Sequence, residues 1–130
     1  MEELKHLGKT TVYPKTIAEA ELDTFENKCQ HRKYTVTFNC PEFTNLCPIT
    51  GQPDFANITI TYVPDKKCIE SKSLKLYMAS FRNEGVFHEA VTNKILDDIV
   101  KATDPFEAKV VGDFNTRGGI SIQVLAEHKR

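Results

Sequence analysis

From Tyr34 onward the chain alternates. In "YTVTFNC" Tyr34, Val36, Phe38 and Cys40 fall on one side, and Thr35, Thr37 and Asn39 on the other, as a half-buried strand requires. "FANITITYV" repeats the pattern, with Ile58, Ile60 and Tyr62 set against Asn57, Thr59 and Thr61, and "PDKK" then turns the chain. The period next becomes helical. In "SKSLKLYMASFRN", residues 71–83, Leu74, Tyr77, Met78 and Phe81 form one apolar stripe, while Lys72, Lys75, Ala79 and Arg82 share the face beside it. Gly85 breaks the run. A second helix follows with Val91, Ile95, Leu96 and Ile99 inward, and Asp104-Pro105 ends it. "AKVVGDFN" and "ISIQVLAE" read as two more strands around "TRGG", whose glycines suit a hairpin turn. Residues 1–28 are polar with few large apolar side chains, and read as a loosely ordered arm. The order ββααββ predicts an α+β fold, an antiparallel sheet with two helices on one face. Such a sheet has two open edges and a Thr-rich face, which sister subunits close in a barrel or water covers in a monomer.

Composition narrows the class. The 130 residues make one domain, large enough to bury roughly two-thirds of the unfolded surface. Hydrophobic residues are 40% and charged residues 27%, a globular balance, and the net charge of −1 argues against general attraction to nucleic acid or anionic lipid. An anion site must then be local. "MEELKHLGKT" has early acidic residues and no apolar core of a signal peptide, and no run reaches membrane-spanning length, so a cytoplasmic chain without a membrane partner is expected. The four cysteines, Cys29, Cys40, Cys47 and Cys68, form no CxxC pair, which disfavours both disulfides and a zinc ribbon. No metal is expected.

The chemistry gathers between the first two strands. "NLCPITGQPDF", residues 45–55, holds Cys47 and Asp54 in a stretch that reads as neither helix nor regular strand. A small buried Cys beside a stiff turn and a turn-capping Asp would explain it. So would a nucleophile awaiting activation and a carboxyl acid that moves a proton. His88 and Glu89 open the second helix, where a carboxylate suits the helix dipole. A carboxylate can also accept two N–H bonds from a guanidine-like edge such as an amino-pyrimidinone. In "ESKSLKLY" Lys72 and Lys75 stand one turn apart, as on a solvated face or a phosphate site. Neither GxGxxG nor GxxxxGK[ST] occurs, so any nucleotide is held by other means.

Taken together, "LCPITGQPDFA", "ESKSLKLYMASFRN", "FHE" and "TRGGI" closely resemble the NADPH-dependent 7-cyano-7-deazaguanine reductases, the nitrile reductases of queuosine biosynthesis in tRNA modification. The likeness spans about residues 34 to 125, and the length fits the single-module form. It implies a tunnelling fold, with ββααββ units assembled into barrels and sites between subunits. A high-order homo-oligomer, two stacked pentamers, is therefore expected. It also implies Cys47 as nucleophile forming a covalent thioimide and Asp54 as general acid. Glu89 would recognise the deazaguanine, with His88 orienting it or relaying a proton. Glu70, Ser71, Lys72, Lys75 and Tyr77 would belong to the NADPH site, with Lys72, Lys75 and Arg117 on the phosphates. Two other readings share the fold: an amidine-forming relative using the same Cys, and a purine- or pterin-binding protein without catalysis. The "ESKSLKLY" run argues against the first, which needs no NADPH, and intact Cys47 and Asp54 argue against the second.

Overall fold

The computed structural model describes residues 21–130. The elements run β1 (Thr24–Glu26), β2 (Val36–Leu46), β3 (Pro53–Val63), β4 (Lys67–Ile69), α1 (Ser71–Ala79), α2 (His88–Thr103), β5 (Glu107–Arg117) and β6 (Ile120–Lys129). The central sheet has the order β2-β3-β5-β6, antiparallel throughout, and both helices sit in the connection from β3 to β5. The expected ββααββ arrangement holds, with the small β1–β4 ribbon added beside it.

The apolar alternation builds the core as read. Ile58, Ile60 and Tyr62 of β3 and Val110 and Phe114 of β5 meet Leu74, Tyr77, Phe81, Val91, Ile95 and Ile99 from the helices. Seven of these (Ile58, Ile60, Phe81, Val91, Ile95, Ile99 and Val110) are 0% exposed. Fully burying one such side chain is worth about 1.5–3 kcal/mol, so this layer dominates the fold. The opposite sheet face is mixed: Thr59 donates to Asn39 at 3.2 Å, while Phe55 and Leu125 stand exposed on it.

The structure departs from the sequence reading at three places. The 45–55 stretch is not all loop: β2 continues to Leu46 and β3 starts at Pro53. Pro41 hides that continuation, yet it sits on an edge strand at a bulge, where its missing N–H is tolerated. The helix expected over 71–83 closes at Ala79. From Ser80 the bonds tighten to the i+3 kind, as in Phe81 N–H to Met78 O and Glu84 N–H to Phe81 O. The arm divides: residues 1–20 lie outside the described residues, but residues 21–28 are tied in by polar bonds rather than apolar spacing. Asp23 N–H donates to Ser73 Oγ at 2.9 Å, and Asn27 Nδ2 to Asp65 O at 2.7 Å.

Two bulges rephase the strands. In β2 the register passes from Cys40↔Ile58 to Phe43↔Ala56, so three residues of β2 oppose two of β3. In β5 it passes from Phe114↔Ile122 to Arg117↔Ile120. Cross-strand partners share a sheet face, and so do residues two apart on the partner strand. Phe43 therefore faces the same side as Cys40, and Arg117 the same side as Phe114, although each pair is three apart. Gly118 (φ +58°) and Gly119 (φ +79°) then close the hairpin in the left-handed conformation that a tight β-turn demands.

Candidate active site

Cys47 follows the last residue of β2 and opens a tight turn. Its N–H donates to Gln52 O at 2.8 Å, and Gly51 N–H returns to Cys47 O at 2.9 Å. Gly51 takes φ +73°, which suits glycine far better than any other residue. The thiol is held below its ordinary pKa by the Thr50 hydroxyl first, then by the N–H groups of Thr50 and Ile49; the nearby Asp54 charge opposes them. Cys40 has the opposite setting, with burial pushing its thiol up. Of these two thiols only Cys47 is prepared to be a thiolate.

Asp54 faces inward from the start of β3 and is buried at 7% exposure, a costly position for a carboxylate without partners. It has two. His88 Nε2 lies 3.3 Å from Oδ2, and Arg117 Nε lies 3.3 Å from Oδ1. Arg117 also donates from Nη1 to Gln52 Oε1 at 3.1 Å and from Nη2 to Pro53 O at 2.8 Å.

His88 is delivered by packing. Its ring stacks on Phe114 with centroids 3.9 Å apart and planes 11° from parallel. Gly112 makes room for this: a Cβ there would come within 2.7 Å of both Phe114 and Thr92 Oγ1. The segment leading to His88 is sewn to β2 by Leu46 N–H to Glu84 O (2.9 Å) and Val86 N–H to Leu46 O (3.2 Å). Fully buried Asn45 adds a bond from Nδ2 to Val86 O at 2.8 Å. Its Oδ1 is buried with no hydrogen-bond partner among the described residues.

A second feature lies between α1 and β2. A groove of about 780 Å³ is lined by Cys40, Glu42, Ser71, Lys75, Met78 and Arg82, among others. Cys47, Asp54 and Arg117 are not on its walls. Among the described residues no group of three or more His, Cys, Asp or Glu could hold a metal ion, and no helix is long and apolar enough to cross a membrane.

The family described as QueF-like protein matches residues 53–130. A Bacteroides fragilis protein named NADPH-dependent 7-cyano-7-deazaguanine reductase is 54% identical over 129 residues, 99% of this chain and 85% of that protein. One of the same name from Nitrosomonas eutropha is 59% identical over 110 residues, 85% of this chain and 79% of that protein. The chain belongs to the family of the 7-cyano-7-deazaguanine reductases. Its fold is the tunnelling fold: the crystal structure of the archaeosine synthase QueF-Like in the apo form superposes with a TM-score of 0.64. That match covers 73% of this chain and 91% of the other at 21% identity.

The sequence-predicted residues of this reductase-family chain fall into two groups. Asp54, His88 and Arg117 converge, and Cys47 opens the same turn. Arg117, expected on the phosphates with Lys72 and Lys75, is turned by the β5 bulge toward Asp54 in this chain. Glu89 stands next to His88 in the first turn of α2, exposed to solvent. Of the "ESKSLKLY" residues, Ser71 and Lys75 line the groove, and Lys72 is half-buried at the head of α1. Glu70 instead caps α1, accepting from Lys72 N–H at 2.6 Å and Ser73 N–H at 2.9 Å. Tyr77 is buried, donates to Asp98 Oδ2 at 2.5 Å and packs edge-on against Phe81. Burial, then Asp98, drives its hydroxyl pKa far up, so it stays protonated. Sequence reasoning passed over Asn45, Thr50 and Gln52. All three lie within or beside the Cys47 turn, and their polarity in so short a stretch was the available signal.

Proposed function

We propose that this chain reduces the nitrile of 7-cyano-7-deazaguanine to 7-aminomethyl-7-deazaguanine with NADPH, in queuosine biosynthesis. The observation that carries the reading is a thiol disposed to ionise on the same turn as a buried carboxylate held by a histidine and an arginine. A nitrile carbon is a poor hydride acceptor. The Cys47 thiolate adds to it while Asp54 protonates the nitrogen, giving a thioimide with a C–S bond and a more electrophilic carbon. His88, 3.3 Å from Asp54, restores the proton that Asp54 gives up. After the first reduction the C–S bond breaks, the thiolate leaves and an imine remains. The site retains this imine until its own reduction gives the amine. Glu89 accepts the amino-pyrimidinone edge of the base.

The residues of the groove suit a dinucleotide phosphate. Lys75 and Arg82 supply cations on one wall and Ser71 a hydroxyl, with Lys72 alongside at the head of α1. Because Glu70 takes the N–H groups of Lys72 and Ser73, the lysine side chains, not the helix end, carry the anion. When bound, NADPH supplies the hydrides, one from each of two molecules. The groove and the Cys47 turn share no lining residue, which supports a site completed between subunits. Ile49, Phe55, Phe87 and Ile120 add support. Each is more than half exposed and sits in or next to the Cys47 turn, His88 or Arg117, an apolar rim that a neighbouring subunit would cover. A decamer of two stacked pentamers is the proposed assembly.

Following NADPH oxidation with and without 7-cyano-7-deazaguanine tests the activity, and light scattering over a dilution series tests the assembly. Nitrile-dependent oxidation with a mass increment on Cys47 is expected. Cofactor oxidation independent of the nitrile, or a fully active monomer, would overturn the respective reading.

A further inference from the structure

We infer that Arg117 is a positioning residue for nitrile capture: it holds the segment carrying Asp54 and thereby sets the acid against the Cys47 thiol. This rests on the reductase reading above and goes beyond it.

The geometry is that of a clasp. Every nitrogen of the guanidinium has an acceptor on three consecutive residues: Nη1 on Gln52 Oε1, Nη2 on Pro53 O and Nε on Asp54 Oδ1. A planar fork can span side chain, main chain and carboxylate in this way, and a point charge such as lysine cannot. The contacts are long-range in sequence, joining positions 64 and 65 residues apart. They bring the tip of the β5–β6 hairpin onto the second limb of the Cys47 turn. The same limb supplies Gln52 O, the acceptor for Cys47 N–H. Arg117 therefore reaches both ends of the reacting pair, Asp54 directly and Cys47 through Gln52. Its orientation is built in, since the bulge between Phe114 and Arg117 sets both residues on one face. That face also carries the Phe114 ring on which His88 stacks. One short strand end thus fixes both partners of the Asp54 carboxylate.

Rapid mixing of the 130-residue chain with 7-cyano-7-deazaguanine, without NADPH, reads thioimide formation alone; steady-state kinetics then give KM for NADPH. In Arg117→Ala, adduct formation at saturating nitrile should fall about a hundredfold, the usual cost of displacing a reacting group by an ångström. KM for NADPH should stay within about twofold, since all three guanidinium nitrogens are already engaged by Gln52, Pro53 and Asp54. Gln52→Ala keeps the arginine and removes one acceptor, and should slow capture about fivefold, a partial loss of the same positioning. If Arg117→Ala captures the nitrile at the wild-type rate and raises KM for NADPH, the residue serves the phosphates and the inference is overturned. If Arg117→Ala does not fold, wild-type capture by Gln52→Ala overturns it equally. Absence of adduct in the wild-type chain would instead overturn the reductase reading, and this inference with it.

Discussion

The Cys47 turn and the head of α1 are both short, polar and distinctive in sequence, yet the fold uses them differently. In the turn nearly every polar group points at another member of the site: Thr50 at the thiol, Arg117 at Gln52 and Asp54, His88 at Asp54. At α1 the polar residues are shared out. Glu70 and Tyr77 hold the helix and its packing, while Ser71 and Lys75 face the groove. A turn has no ladder of its own, so its side chains must supply its hydrogen bonds and are fixed in doing so. A helix satisfies its backbone internally and leaves its outer side chains for solvent or ligand. The first region is organised before substrate arrives, and the second is organised around its own stability.

Substitutions can break this contrast or sharpen it. The largest effect should come from Cys47→Ala, which removes the proposed nucleophile: turnover should fall at least about a thousandfold and the thioimide vanish, with the circular dichroism spectrum unchanged. Nitrile reduction by this variant would remove the turn from the chemistry. Next come Lys72→Ala and Lys75→Ala. If these lysines bind the cofactor phosphate as proposed, losing one such charged hydrogen bond should raise KM for NADPH about tenfold or more, and KM for NADH far less. Adduct formation should persist in both variants. Loss of capture with cofactor binding kept would reverse the roles of the two regions.

Smaller effects follow from the tuning groups. The Cys47 pKa is lowered, so its thiolate survives to lower pH than an ordinary thiol's and capture gains rate as pH rises through that lowered value. Thr50→Val deletes the leading cause, so the pH profile should move upward and capture near neutrality slow about threefold. An unmoved profile would show that backbone N–H groups suffice. The smallest change should be Glu70→Ala, costing about 1 kcal/mol of stability as a lost helix cap. Its denaturant midpoint should drop while KM for NADPH stays put; the opposite result would make Glu70 a ligand rather than a cap.

What could be read from the residues follows the same division. Ile58, Ile60 and Tyr62, or Val91, Ile95 and Ile99, announce themselves because burial imposes a period on the chain, and the structure buries all six. Cys47, Asp54, His88 and Arg117 were each legible as candidate residues, in separate roles. Their grouping in space was not, because it depends on register. Arg117 reads as a phosphate ligand until one extra residue in β5 turns it toward Asp54. Pro41 reads as a strand end until the bulge accommodates it, and β1 and β4 are too short and polar to show a period at all. Glu70 and Tyr77 show the converse difficulty, since a motif string does not separate what binds from what braces.

The bulge in β2 gives that strand something like a reading frame. Up to Cys40 the even-numbered residues turn inward, and from Phe43 the odd-numbered ones do, so Asn45 is enclosed and Pro41 and Glu42 are left outside. Deleting a single residue at 41 or 42 would restore the two-for-two count and leave Phe43 opposite Ala56, so the rest of the strand would keep its facing. Deleting Thr44 instead would put Phe43 and Asn45 on opposite faces: either Phe43 leaves Phe81, or Asn45 leaves Val86 and the segment that carries His88. The bulge is where this strand can lose a residue, and the stretch just beyond it is where it cannot.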